Sequence, residues 1–281
     1  MDKPMMIATS LDELRAARLL LDGTVGLVPT MGYLHDGHVS LARRAREECD
    51  RVVASIFVNP AQFGANEDLS KYPRDLKRDL TLLEAAGVDL VWTPTPEEMY
   101  PPGFATWVEI EGLTKPLEGA ARPGHFRGVT TVVAKLFNAV QPQKAYFGQK
   151  DAQQAAVIRK MARDLDFPIE IIVCPTVREA NGLAMSSRNS YLSAEERQAA
   201  TILFRALTAA KSAHARGERN AESLRRIMSE TLASEPRAQM QYVSVADYDS
   251  LEELETVTGK TLLSMAVFMG KTRLIDNFVL E

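Results

Sequence analysis

The chain has 281 residues, and its 33 Lys and Arg stand against 37 Asp and Glu for a formal net charge of −4. With 46% hydrophobic and 25% charged residues it has a globular mixture with ample core, and its mildly acidic total argues against a broad nucleic-acid or anionic-membrane surface. Cys49 and Cys174 make neither a disulfide framework nor a metal set, no apolar run approaches a spanning helix, and Met1-Asp2-Lys3-Pro4 lacks a secretory signal, so a reduced cytoplasmic protein is expected.

Thr24–Pro29 reads as a first buried strand, followed by a turn and a helix from about Gly37 to Glu48. Arg51–Val58 reads as the next strand, stopped by Asn59-Pro60 because proline cannot donate to a ladder. Leu76, Leu80 and Leu83 recur at helical spacing within Pro73–Ala86, Gly87 supplies a stop, and Val88–Trp92 follows as a strand. Proline-rich Thr93–Phe104 reads as a loop with room for one helical turn. Beyond it come a helix (Gly128–Val140), a strand (Lys144–Phe147), a helix (Asp151–Leu165) and a strand (Ile169–Val173). This alternation predicts an α/β fold with a mainly parallel sheet covered by helices on both faces, and ligands of such sheets collect at the carboxyl ends of the strands. After Pro175 the rhythm changes. One long helix from Ser193 to about Arg216, a second over Ala221–Ala233, and strands Met240–Ala246, Lys260–Met269 and Thr272–Val279 predict a smaller α+β domain, with a boundary near residue 175.

Three segments are candidates to carry chemistry, each with a plain structural alternative as surface loop, cap or linker. In Pro29–His38, Gly32 permits a tight turn, Asp36 suits an N-cap, and His35 and His38 project from one side of a first helical turn. A helix start favours phosphate and disfavours imidazolium, so both rings are expected neutral until an anion arrives. In Phe147–Gln154, Lys150 suits phosphate oxygens and Asp151 an N-cap; adjacent Gln153 and Gln154 diverge, so at most one faces a site. Met185-Ser186-Ser187-Arg188-Asn189, after Asn181-Gly182, is either a phosphate clamp or a linker that caps the next helix. Asn59-Pro60-Ala61-Gln62-Phe63 and the basic Arg122–Gly128 loop suit a small polar acid, or are simply turns.

His35-Asp36-Gly37-His38 resembles the HxGH signature of a nucleotidyltransferase superfamily. Pro29-Thr30-Met31-Gly32 leading into it, followed in order by Asn59–Phe63, Arg122–Gly128, Phe147–Gln154 and Met185–Asn189, resembles the pantoate–β-alanine ligase family over most of the chain. The resemblance implies a Rossmann-like nucleotide- and pantoate-binding domain over 1–175 and a smaller lid domain over 176–281. It implies ATP-dependent joining of pantoate to β-alanine through a pantoyl adenylate, with release of pyrophosphate and AMP. Met31, Gly32, Tyr33, Leu34, His35, Asp36, Gly37 and His38 would form the first ATP loop, with His35 at the phosphates and His38 in the proton-donor position. Gly148, Gln149, Lys150 and Asp151 would also bind ATP, Lys150 catalytically through phosphate and Asp151 through ribose. Val177, Met185, Ser186, Ser187 and Arg188 would complete the nucleotide site. Gln62 and Gln154 would hold pantoate, Gln62 also β-alanine, with Asn59, His125 and Arg127 as further substrate contacts. Mg²⁺ is expected on the phosphates with no protein metal site, and a homodimer is expected, with no nucleic-acid or membrane partner. Leu262–Met269 could bury against a partner as easily as within its own domain. Gln149 stands where relatives often have glutamate. Two rival readings are another HxGH nucleotidyltransferase and a non-catalytic nucleotide-binding module; Gln62 with Gln154 argues against the first, and both histidines, Lys150 and the Ser-Ser-Arg loop against the second.

Overall fold

The computed structural model describes residues 4–64 and 69–281; the residues read as lacking a secretory signal, Met1 to Lys3, lie outside that range. The chain divides into two compact units, Met1–Gly148 with Val157–Pro175, and Gln149–Ala156 with Thr176–Glu281. Segment Gln149–Ala156 thus groups with the second unit, whereas the sequence places it with the first.

Among the described residues, the first unit holds six parallel strands: β1 (Met6–Ala8), β2 (Val25–Thr30), β3 (Arg51–Ile56), β4 (Leu90–Trp92), β5 (Lys144–Gly148) and β6 (Glu170–Cys174), in the order β1-β4-β3-β2-β5-β6. Its helices are α1 (Leu11–Arg18), α2 (Asp36–Glu48), α3 (Leu76–Ala85), the single turns α4 (Pro96–Met99) and α5 (Glu118–Ala121), α6 (His125–Val140), and most of α7 (Ala152–Asp164). Leu14, Val132, Leu136, Phe137, Ile158 and Met161 cover one face of the sheet, and Val39, Ala42, Ala45 and Leu83 the other. Helices therefore lie on both faces, as the alternation predicts. The chain runs from β2 outward through β3, then returns to β5 on the other side of β2, so the strand order reverses between β2 and β5.

β1 and α1 precede the first strand read from the sequence. β1 is a three-residue edge strand with Ile7 51% exposed, too short for period-2 alternation to register. α1 does carry a local signal: the Ser10 side chain caps Glu13 and the Glu13 side chain returns to the Ser10 N–H. α3 starts at Leu76 under an Asp75 cap instead of at Pro73, and α6 starts at His125, three residues before the expected Gly128.

The second unit holds α8 (Ala194–Ala199), α9 (Ile202–Ala215), α10 (Ala221–Ala233) and an antiparallel sheet β7 (Ala238–Asp247), β8 (Thr261–Met269), β9 (Thr272–Leu280). The expected single helix after Ser193 is broken at Ala200–Thr201. There Thr201 N–H bonds back three residues to Gln198 O, the Thr201 hydroxyl takes the same carbonyl at 2.8 Å, and the i to i−4 ladder is interrupted. Leu263, Met265, Val267 and Met269 are fully buried against α9 and α10. That face of β8 is therefore covered within its own unit.

Candidate active site

The loop after β2 is held open by one buried carboxylate. Gly32 (φ +82°) and Tyr33 (φ +50°) are both left-handed, which turns two successive N–H groups toward α3. Asp79 of α3, 1% exposed, accepts Tyr33 N–H on Oδ2 and Leu34 N–H on Oδ1, both at 2.7 Å. A Cβ on Gly32 would stand 3.1 Å from that Oδ2 and 3.0 Å from Ile56. Asp79 escaped the sequence reading, yet it lies on the stripe of Leu76, Leu80 and Leu83, three residues from the first and four from the last. An acid on an apolar stripe is the signal that marks it.

His35, not Asp36, caps α2. Its Nδ1 accepts Gly37 N–H at 3.1 Å, and His38 Nδ1 in turn accepts His35 N–H at 3.4 Å. Asp36 is exposed. An imidazole lone pair thus does the work usually given to a carboxylate oxygen. The bonds assign the tautomers: both Nδ1 atoms act as acceptors, so in each neutral ring Nε2 carries the hydrogen. The rings lie against one another, centroids 4.1 Å apart.

Beside this loop, Asn59 and Gln62 form a fully assigned network. Asn59, 1% exposed, accepts from Ala61 N–H (3.2 Å) and the Tyr100 hydroxyl (2.8 Å), and donates to Gly128 O and Gln62 Oε1, both at 3.1 Å. Gln62 Oε1 is thereby an acceptor, and its Nε2 lies 3.1 Å from Met31 Sδ. Burial pushes the Tyr100 hydroxyl up to about 12 against the opposing pull of its bond to Asn59, so it stays a donor. Arg122 can only donate, so His125 Nε2 accepts from it (3.0 Å) and His125 Nδ1–H donates to Gln62 O at 2.9 Å. Gly128 makes this packing possible: a Cβ there would come within 2.3 Å of Ala61 O. Arg127 is exposed with its guanidinium 4.5 Å over the Trp107 ring; Arg122 is the arginine that joins the Gln62 network. Sequence reasoning missed Tyr100; Asn59, expected there as a substrate contact, also holds the Gln62 amide oxygen.

The second unit gathers the other predicted residues. Gln149–Asp151 form a 3₁₀ turn at the start of α7, with Lys150 Nζ 3.7 Å from Asp151 Oδ1. Gln153 is buried and Gln154 half-buried, so the pair diverges as its adjacency requires. The Gln149 side chain donates to Asn277 Oδ1 (3.0 Å) and accepts from the Tyr248 hydroxyl (3.4 Å). Val177 and Met185 face each other at the base of a hairpin, with Met185 N–H on Val177 O at 3.0 Å. Ser186 caps the 3₁₀ turn Ser187–Tyr191 by accepting Arg188 N–H, and Asn189 ties that turn to Ala184 O and Glu179. Among the described residues no group of three His, Cys, Asp or Glu is arranged to hold a metal, and no helix is long and apolar enough to cross a membrane.

The sequence pattern of the pantoate-beta-alanine ligase family matches residues 6–279. The chain is similar to a pantothenate synthetase of Roseiflexus sp. (strain RS-1), 63% identical over 277 residues, which cover 99% of this chain and 100% of that one. A pantothenate synthetase of Herpetosiphon aurantiacus is 62% identical over 98% of this chain and 100% of its own. Among solved structures, pantothenate synthetase from Thermus thermophilus superposes with a TM-score of 0.94 at 51% identity, over 98% of this chain and 99% of that one. Pantoate-beta-alanine ligase from Francisella tularensis, complexed with beta-gamma ATP and beta-alanine, gives 0.80 at 36% identity over 98% and 97%. With the family pattern spanning nearly every residue and the polar networks above in place, the chain belongs to the pantoate–β-alanine ligase family.

Proposed function

We propose that the chain condenses pantoate with β-alanine at the expense of ATP. A pantoate carboxylate oxygen attacks the α-phosphorus and pyrophosphate leaves. The β-alanine amine then attacks the acyl carbon of the pantoyl adenylate, AMP leaves, and an amide forms. Pantoate and ATP are both anions, so the protein's task is charge compensation and alignment more than bond chemistry. Mg²⁺ enters as part of the nucleotide substrate, on its phosphates.

The observation that carries this reading is the paired cap of α2. Both Nδ1 atoms accept backbone N–H groups, which fixes the His35 and His38 rings at a helix start, where the dipole favours phosphate. His38 then stabilises charge building on the departing pyrophosphate. The rest of Met31–His38 cradles ATP. Gln62 presents its amide N–H to pantoate and β-alanine because Asn59 occupies its oxygen. Gln154 holds pantoate from the first turn of α7, His125 sets the backbone of Gln62, and Arg127 is a further substrate contact. Lys150 meets phosphate, Asp151 ribose, and Val177 with Met185–Arg188 the remainder of the nucleotide. A homodimer and a cytoplasmic location complete the reading; they rest on family resemblance, and sedimentation of the purified chain tests the first.

The decisive assay supplies ATP, Mg²⁺ and pantoate with and without β-alanine. AMP and pantothenate are expected together only when both acids are present, and pyrophosphate stoichiometric with enzyme when β-alanine is withheld. His38→Ala is expected to slow adenylate formation about 10²–10³-fold; near-normal adenylate formation in that variant would sink its assigned role.

A further inference from the structure

We propose that Asp276-Asn277 on β9 is a two-sided clasp that positions both nucleotide-binding loops of the second unit. The inference rests on the assignment of Gly148–Asp151 and Val177–Arg188 to ATP. Successive residues of a strand point to opposite faces of the sheet, so one dipeptide reaches two places at once.

Asp276 lies on the face that carries Leu274, Phe278 and Leu280, and is 3% exposed. Its carboxylate accepts Arg178 Nη1 at 2.6 Å and Nη2 at 2.8 Å, a bidentate pair. The guanidinium lies 4.9 Å from the Phe204 ring centroid and 5.0 Å from that of Phe278, and Nη1 also donates to Gly182 O at 3.0 Å. Arg178 thus closes its own hairpin, Arg178 to Ala184, and fastens it to β9. Val177 and Met185 sit at the base of that hairpin.

Asn277, 4% exposed, faces the other way. Its Nδ2 donates to two consecutive carbonyls, Gln149 O at 3.0 Å and Lys150 O at 2.9 Å, while its Oδ1 accepts from Gln149 Nε2. Every hydrogen-bonding atom of the amide is used, and no flipped orientation satisfies the same partners. Two carbonyls drawn to one nitrogen hold the 3₁₀ turn and with it the backbone of Lys150. The two arms meet in the carboxylate, because Asp276 Oδ1 also accepts Asn277 N–H at 2.8 Å. Glutamine at 149 belongs to this arrangement: a carboxylate there would confront Asn277 Oδ1, and turning the amide to meet it would strip both carbonyls of their donor. Asp276, Asn277 and Gln149 are positioning residues that act through Lys150 and the Val177 hairpin.

The test is Asn277→Asp, which keeps the shape and removes both donors. The KM for ATP is expected to rise about tenfold or more, for two lost hydrogen bonds, while the KM for β-alanine stays within twofold. An unchanged ATP KM overturns the clasp, and so does a fall in kcat with both KM values unchanged, which marks a merely structural role. If Asn277→Asp yields no folded protein, Gln149→Glu tests the clasp from the loop side, with the same selective rise expected and an unchanged ATP KM overturning it. Wild-type enzyme that forms no AMP in the same assay overturns the ATP assignment itself, a separable result.

Discussion

At its first turn α2 spends two imidazole nitrogens, one each of His35 and His38, on its own backbone, beside a loop whose N–H groups are gripped by Asp79. At its last turn the same helix ends on Glu48, which accepts from Arg44, from Lys144 Nζ at 3.3 Å and from the Tyr146 hydroxyl at 3.0 Å. A carboxylate at a helix C-terminus opposes the dipole, and three donors offset it. The two ends divide labour. The first end carries the histidine pair proposed to meet the nucleotide, whereas the last carries a carboxylate answered by three donors of the chain. Substitutions at the first end should therefore show in turnover and substrate affinity, and those at the last end in stability alone.

Asp79→Asn is the largest test of that division. One oxygen becomes an N–H donor facing an N–H, so the Gly32-Tyr33 turn loses half its anchor. The expected result is a rise of about thirtyfold or more in the KM for ATP, together with about 2 kcal/mol of lost stability. A loss of stability without any change toward ATP would break the comparison, since it would make the loop a mere fold element.

Tyr100→Phe is expected to act more gently and on a different substrate. Removing the hydroxyl leaves Asn59 Oδ1 with one donor and lets the Gln62 amide rotate, raising the KM for pantoate about fivefold, as one neutral hydrogen bond allows. Because burial holds the Tyr100 hydroxyl near 12, the ratio of wild type to variant should be flat from pH 6 to about pH 10. A step within that window, in a kinetic pH profile, would show that another group carries the effect.

Glu48→Gln is the smallest. A hydrogen bond and charge from Arg44 hold the Glu48 carboxyl below its usual range, and Glu48 raises Lys144 in return. A lowered carboxyl stabilises the fold above its unfolded pKa and loses that contribution as pH falls through the folded one. The variant should therefore melt slightly lower at neutral pH, by about 0.5–1 kcal/mol at most for a partly exposed pair. The gap between variant and wild type should close as pH falls through the lowered Glu48 range, with turnover unchanged at pH 7.

The parallel sheet and its carboxyl-end loops were legible because each βαβ unit is written locally, in strand runs, stops and helical stripes. The histidine loop was legible for the same reason, although the cap fell to His35 because nothing in local preference ranks an imidazole above the carboxylate beside it. What stayed hidden are partners chosen across distance. Asp79 meets Tyr33 from 46 residues away, Tyr100 meets Asn59 from 41, and Asn277 meets Gln149 from 128. An acid on an apolar stripe hints at the first; no periodicity announces the other two. The break at Ala200–Thr201 was hidden differently, since alanine and threonine both fit a continuous helix until the hydroxyl takes a carbonyl for itself.

The separation between Gln149 and Asn277 also sets an order in time. A ribosome adding about 5–20 residues per second needs roughly 6–25 s to travel the 128 residues between them. For that interval the nascent Gln149–Lys150 turn has no clasp, and neither does the Val177 hairpin, whose Arg178 waits 98 residues for Asp276. Both loops are set by one stretch of two residues arriving late in translation. A chain cut short before β9 would keep the histidine loop and lose the clasp on both others.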